Sequence, residues 1–166
     1  MSDVSLRPVA ARESELIFSF LTIAARMAES SEPIQKALVD PQLVKYWQGW
    51  QREGDLGVVA VRSTDAWPIA CAWVRRLPST DSSYVAEGVL ELAIGTIAAE
   101  RGHGHGSRVL GKLIELCAPI SLGISLTVRA DNPAVRLYER FGFQKTAELT
   151  NRVGSRSVAM LLRFGA

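Results

Sequence analysis

The sequence predicts an α/β fold on three observations. Two β-rich runs, residues 56–61 and 69–74, flank a turn containing Thr64-Asp65 and read as an antiparallel hairpin with a somewhat long loop. From Leu90 the pattern becomes strand, glycine-rich turn, helix, strand, helix, which is a β-α-β unit with one more helix behind it. Ahead of both, apolar residues between Ser14 and Ala28 recur at steps of three and four, as in an amphipathic helix that covers a sheet. At 166 residues, 48% hydrophobic and 22% charged, the chain suits one domain spanning residues 1–166.

In chain order, residues 4–7 form a first strand that Pro8 stops. The first helix, residues 14–28, places Leu16, Ile17, Phe20, Leu21, Ala24, Met27 and Ala28 on one stripe. Pro33 after Ser31-Glu32, and Pro41 after Asp40, each put proline in a first helical turn beside a capping residue, so two short helices are expected before Trp50. Tyr46, Trp47 and Trp50 leave two readings open, core packing or the wall of a substrate cleft. The polar run 78–83 reads as a mobile loop. A strand at 90–97 leads into the glycine-rich turn 101–106 and a helix at 107–117. That helix has Val109, Leu110, Leu113, Leu116 and Cys117 on one face and Arg108, Lys112 and Glu115 on the other. A strand at 124–128 precedes a helix at 133–141 with Asn132 as N-cap, Gly142 as a left-handed stop and Phe143 closing over the last turn. Strands at 144–149 and 157–164 bring the total to seven.

Charge and cysteine usage narrow the function classes. The formal charge of +2 is too small to hold a long polyanion by charge alone, so no nucleic acid partner is expected. Residues 100–145 nevertheless carry a local +3, which suits a compact anionic ligand. Cys71 and Cys117 each lie in an apolar run and read as buried, reduced and structural. No apolar stretch is long enough to span a bilayer and the start at Met1-Ser2-Asp3 lacks a basic, then apolar, leader, so a cytoplasmic chain with no membrane partner is the expectation.

The turn Arg101-Gly102-His103-Gly104-His105-Gly106-Ser107 sits between a strand and a helix, where free backbone N–H groups and the helix dipole converge on one anion. It is neither G-x-G-x-x-G, since Ser107 and Val109 fall where the third glycine would be, nor a nucleoside triphosphate loop, since no Gly-Lys-Ser/Thr is present. His103 and His105 have no Cys and no third His to complete a metal site, so no metal is expected.

The segment Leu92-Ala93-Ile94-Gly95-Thr96-Ile97, with Arg101 to Ser107 after it, resembles the acyl-CoA motif of the GNAT N-acetyltransferase superfamily, whose core reads Gln/Arg-x-x-Gly-x-Gly/Ala. Asn132-Pro133-Ala134-Val135-Arg136-Leu137-Tyr138 through Gly142-Phe143 is similar to that family's Asn…Ala-x-x-Leu-Tyr…Gly-Phe segment. The resemblance implies a mixed, mostly antiparallel sheet of about seven strands flanked by helices, with strands four and five splayed. It further implies acetyl transfer from acetyl-CoA, as co-substrate, to a primary amine of a small molecule, peptide or protein, within a ternary complex. Backbone groups at Ile94, Gly95 and Thr96 would take the pantetheine arm as an added strand. Arg101, Gly102, His103, Gly104, His105, Gly106 and Ser107 would cradle the pyrophosphate. Asn132 would contact CoA, and Tyr138 would serve the departing thiolate. Gly95 within a strand is itself a sign of a bulge or a close backbone approach.

Two departures stand out: Ala98 replaces a common Pro, and the Asn132 to Tyr138 spacing is one residue short. For the general base the resemblance offers Glu91 and Glu87, both on or just before the fourth strand where some members place a catalytic carboxylate; the spacing identifies neither, and Glu91 is the one put forward. No nucleophile elbow and no Cys-His pair is present, which favours direct transfer. A non-catalytic acyl-CoA sensor is the alternative, a nucleotide-binding α/β module is a third reading, and a homodimer is left open.

Overall fold

The computed structural model describes residues 3–165. Seven strands form one mixed sheet in the order β1-β2-β3-β4-β5-β7-β6. They are β1 (Val4–Pro8), β2 (Leu56–Arg62), β3 (Pro68–Arg75), β4 (Val89–Thr96), β5 (Gly123–Arg129), β6 (Gln144–Thr150) and β7 (Arg156–Arg163). Every neighbouring pair is antiparallel except β4 and β5. The helices are α1 (Ser14–Ala24), α2 (Pro41–Val44), α3 (His105–Cys117) and α4 (Ala134–Arg140), with 3-10 turns at Ile34–Leu38 and Ala98–Glu100. This is the predicted mixed α/β, mostly antiparallel, seven-stranded fold.

Strand alternation divides the core into two layers. Val58, Ala60, Ala70, Ala72 and Val74 face α3 and α4, where Val109, Leu110, Leu113 and Cys117 of α3 and Val135 and Tyr138 of α4 are buried. Val59, Val61, Cys71 and Trp73 face the other way, against Ile17, Phe20 and Leu21 of α1 and against Leu43 and Trp50. The central strands β2 and β3 are buried on both sides, which explains their nearly unbroken apolar sequence.

Three expectations are corrected. The first helix stops at Ala24, four residues before the end of its apolar pattern, because Arg26 turns left-handed at φ 54°. The Arg26 N–H donates to the Ile23 carbonyl and the Met27 N–H to the Thr22 carbonyl, a Schellman stop in which Met27 is the buried apolar residue past the helix end. Leu116 lies at the margin of the α3 stripe and is exposed. The polar run 78–83 is anchored: Lys45 Nζ donates to Asp81 Oδ1 at 2.9 Å and to Ser83 Oγ at 3.1 Å, and Asp81 also accepts the Ser83 N–H.

The ladder between β4 and β5 holds the feature that matters most for function. It joins only Val89–Glu91 to Gly123–Ser125, after which the strands diverge as expected. No register shift interrupts β4 along β3. Gly95 is therefore a close-approach glycine rather than a bulge: a Cβ there would lie 3.1 Å from the Phe20 carbonyl oxygen and 3.2 Å from the Ala24 nitrogen of α1.

Candidate active site

The Ile97 N–H donates to the Ile69 carbonyl, so by antiparallel alternation Gly95 and Ala93 also turn their backbone groups toward β3. Ile94 and Thr96 then turn theirs toward the gap that β5 leaves. The Ile97 N–H is committed to β3 and is not free to polarise an acyl carbonyl.

The gap opens into a cavity of about 1240 Å³ that ends at the glycine-rich turn. Gly102 and Gly104 are left-handed, at φ 82° and 83°, and open space lies beyond the Cα of each. Gly104 is the N-cap of α3, so the N–H groups of His105, Gly106 and Ser107 point along the helix axis with no carbonyl one turn earlier to accept them. Arg101 is drawn away from the turn: its Nε lies 3.4 Å from the Thr96 carbonyl and a guanidinium nitrogen 3.1 Å from Glu29. Ile94, Gly95, Thr96, Arg101, Gly102, Gly104, His105, Gly106, Ser107 and Asn132 all line the cavity, as do Glu91 and Tyr138. His103 is the one candidate outside the lining; its side chain is exposed.

Asn132 uses its side chain locally, accepting the Ala134 N–H at 2.9 Å at the start of α4. Tyr138 sits at the far end of that helix. Gly142, at φ 98°, sets a Schellman stop in which the Phe143 N–H donates to the Tyr138 carbonyl, and the two rings meet edge to face at 5.7 Å. Helix termination thereby fixes the Tyr138 ring. The phenol is buried, which pushes its pKa above the ordinary value of 10.

Glu91 is 3% exposed and lines the cavity where the strands part, whereas Glu87 is exposed in the preceding turn and outside the lining. The Tyr46 hydroxyl donates to Glu91 Oε2 at 2.7 Å, and the Ser125 hydroxyl to Oε1 at 3.0 Å. Burial raises the carboxyl from its ordinary 4.5 to about 7, against the opposing pull of those two donors and of Lys45. Both thiols are buried and unbridged, and burial raises Cys117 to about 12 and Cys71 further, so neither supplies a thiolate.

Sequence reasoning missed the frame around Glu91. Trp73 Nε1 donates to the Tyr46 carbonyl at 2.8 Å and Arg75 to the Lys45 carbonyl at 3.1 Å, while Arg75 is paired within the core to Asp55. Two side chains of β3, two residues apart, thus pin the backbone that carries Tyr46. Removing either member of a buried pair of this kind typically costs about 3–5 kcal/mol. Ser125 was available in principle, since it is the parallel register partner of Glu91. The aromatic segment resolves into both readings: Tyr46 serves the cleft, while Trp47 and Trp50 pack and donate to the Ala37 and Ala10 carbonyls.

Comparison with known proteins bears directly on this arrangement. A model of the acetyltransferase (GNAT) family matches residues 23–143, whereas no curated protein sequence matches. Among solved structures, yncA of Salmonella typhimurium with its cofactor acetyl-CoA is similar at TM-score 0.71 and 18% identity, covering 99% of this chain and 96% of that one. A GCN5-related N-acetyltransferase from Kribbella flavida gives 0.70 and 18% over 97% and 98%. The ribosomal-protein-alanine N-acetyltransferase of Brucella melitensis gives 0.69 and 17% over 96% and 99%. These likenesses are in fold, and the family match runs from the last turn of α1 to the residue before β6. The chain belongs to the GNAT acetyltransferase family.

Proposed function

We propose that the chain, acting as a single domain, transfers an acetyl group from acetyl-CoA to a primary amine by direct attack within a ternary complex. The observation that carries this reading is the gap between β4 and β5, an unpaired strand edge that leads from Glu91 to a helix N-terminus ringed by glycines. That shape fits a ligand with an amide-bearing arm and a diphosphate: the edge offers strand-type hydrogen bonds, and the open space at Gly102 and Gly104 admits an anion against the backbone. The solved neighbour that carries acetyl-CoA supports the same co-substrate.

Acetyl-CoA supplies an activated acyl group as a thioester. Ile94 and Thr96 bind and align the arm with its phosphate end toward the glycine-rich turn, and the Ile94 N–H, the nearer of the two amides to Glu91, faces the oxygen on which negative charge develops. Glu91, in its carboxylate form, takes the proton from the attacking amine. Its pKa of about 7 makes proton removal from an α-amine near 7.8 uphill by only about 1 kcal/mol, against about 4.6 kcal/mol for a lysine-type amine near 10.4. An acceptor amine of low pKa is therefore favoured. Tyr138 acts on the thiolate chiefly as a hydrogen-bond donor, because its raised pKa opposes full proton transfer.

The test is thiol release from acetyl-CoA across a panel of amines graded by pKa, measured from pH 6 to 9. Turnover with an acid limb near pH 7 and a preference for α-amines is expected. Saturable acetyl-CoA binding with no turnover on any amine would replace the enzyme reading with a sensor, and a strong lysine preference would overturn the assignment of the acceptor class.

A further inference from the structure

Within and just before the phosphate turn, whose proposed role rests on backbone N–H groups, the fold gathers three metal-type side chains that no step of the proposed reaction uses. Glu100 ends the 3-10 turn, His105 opens α3, and His103 lies between them, flanked by two left-handed glycines. Their ligand atoms all lie within 4.8 Å of one another. His105 Nε2 is 3.8 Å from Glu100 Oε1, too far for a hydrogen bond, and the two imidazole rings stand nearly perpendicular at 6.1 Å.

Burial makes this cluster more than a chance grouping. His105 is 4% exposed, yet neither of its ring nitrogens has a hydrogen-bond partner among the described residues, and Glu100 Oε1 is likewise buried and unpartnered. Three orphaned polar atoms at one point call for an explanation, because each loses its hydration without compensation. With neither a Cys nor a third His at hand, the Glu100 carboxylate is the third ligand of the set.

We propose that Glu100, His103 and His105 form a binding site for a first-row divalent transition metal, with Zn²⁺ as the best fit. Two imidazoles and one carboxylate match the donor preference of Zn²⁺ and leave a fourth position for water or an anion. Mg²⁺ and Ca²⁺ prefer all-oxygen sets and are excluded by the two nitrogen donors. Ligand bonds of about 2.0–2.1 Å place the donors about 3.4 Å apart in a tetrahedron. The present spread of up to 4.8 Å closes toward that spacing when the metal binds, and His103, the exposed member, is the freest to move. Bound metal would tie the start of α3 to the preceding 3-10 turn and staple the intervening loop.

The experiment uses untagged, metal-stripped protein without acetyl-CoA or amine, so its failure leaves the acetyl-transfer reading standing. Co²⁺ titration followed by visible absorption, and Zn²⁺ titration by calorimetry, should each saturate at one metal per chain, with Mg²⁺ silent. His103→Ala and Glu100→Gln should each weaken binding by roughly tenfold or more, with the circular dichroism spectrum and the melting temperature in EDTA unchanged. His105→Leu should abolish binding and keep or raise that melting temperature. A water-bridged Glu100–His105 pair without metal affinity predicts no saturable binding up to about 1 mM, a Kd in the weak range, and that result overturns the site. Binding that persists in both His103→Ala and Glu100→Gln overturns it equally.

Discussion

At Glu91 the folded chain holds a proton more tightly than the unfolded chain does, because the carboxyl is sealed in the core at the point where β4 and β5 part. Folding is therefore not penalised below about pH 4.5, and the penalty grows until it is complete above about pH 7. The interval between those values corresponds to about 3 kcal/mol. Glu91→Gln should accordingly raise stability by up to about that amount at pH 8 and by nothing at pH 4, as read from urea melts at the two pH values. The same variant should lose about 10²-fold or more in kcat/KM. A stability difference between variant and parent that is the same at both pH values would show that Glu91 carries no raised pKa. Sequence could place Glu91 beside the slot but could not choose it over Glu87, because the choice rests on a partner 45 residues away, Tyr46, whose orientation is set by Trp73 and Arg75.

Among the elements, α1 and β4 meet more closely than side chains would allow, and Gly95 is what permits it. In Gly95→Ala the new methyl would press on backbone atoms of α1 that cannot rotate away. A loss of about 1–3 kcal/mol is expected, seen as a fall in melting temperature of about 3–10 °C, together with a raised KM for acetyl-CoA as β4 shifts. An unchanged melt would show that α1 yields freely. The strand and helix periods were legible throughout, and so was the punctuation of α4, because Asn132, Pro133 and Gly142 act through local geometry. What misled was a boundary set by a residue outside the usual repertoire: Arg26 takes the left-handed position normally given to glycine, and the apolar Met27 that looked like helix is the buried residue beyond its end. Likewise the anchoring of residues 78–83 depends on Lys45, an interaction that no local pattern announces.

For the whole molecule, the charge imbalance and the two linked motifs around residues 90–145 pointed to the end of the sheet where the cavity lies, while the strand order and the depth of the gap emerged only from tertiary pairing. The backbone alternation along β4 makes a prediction at this scale. In the ligand-free protein the amides of Ile94 and Thr96 should exchange hydrogen faster than those of Ala93 and Gly95, and acetyl-CoA should slow the first pair selectively. Uniform protection along the strand would show that the gap is closed in solution. The rims of the sheet are guarded against joining other chains, by Pro8 on β1 and by Lys145 and Glu148 on the fully exposed β6. The stretch of β4 that faces the gap, Leu92 to Thr96, carries neither charge nor proline. The fold thus keeps its stickiest backbone in the middle of the sheet rather than at its edge, and acetyl-CoA should accordingly lower the light scattering of concentrated protein.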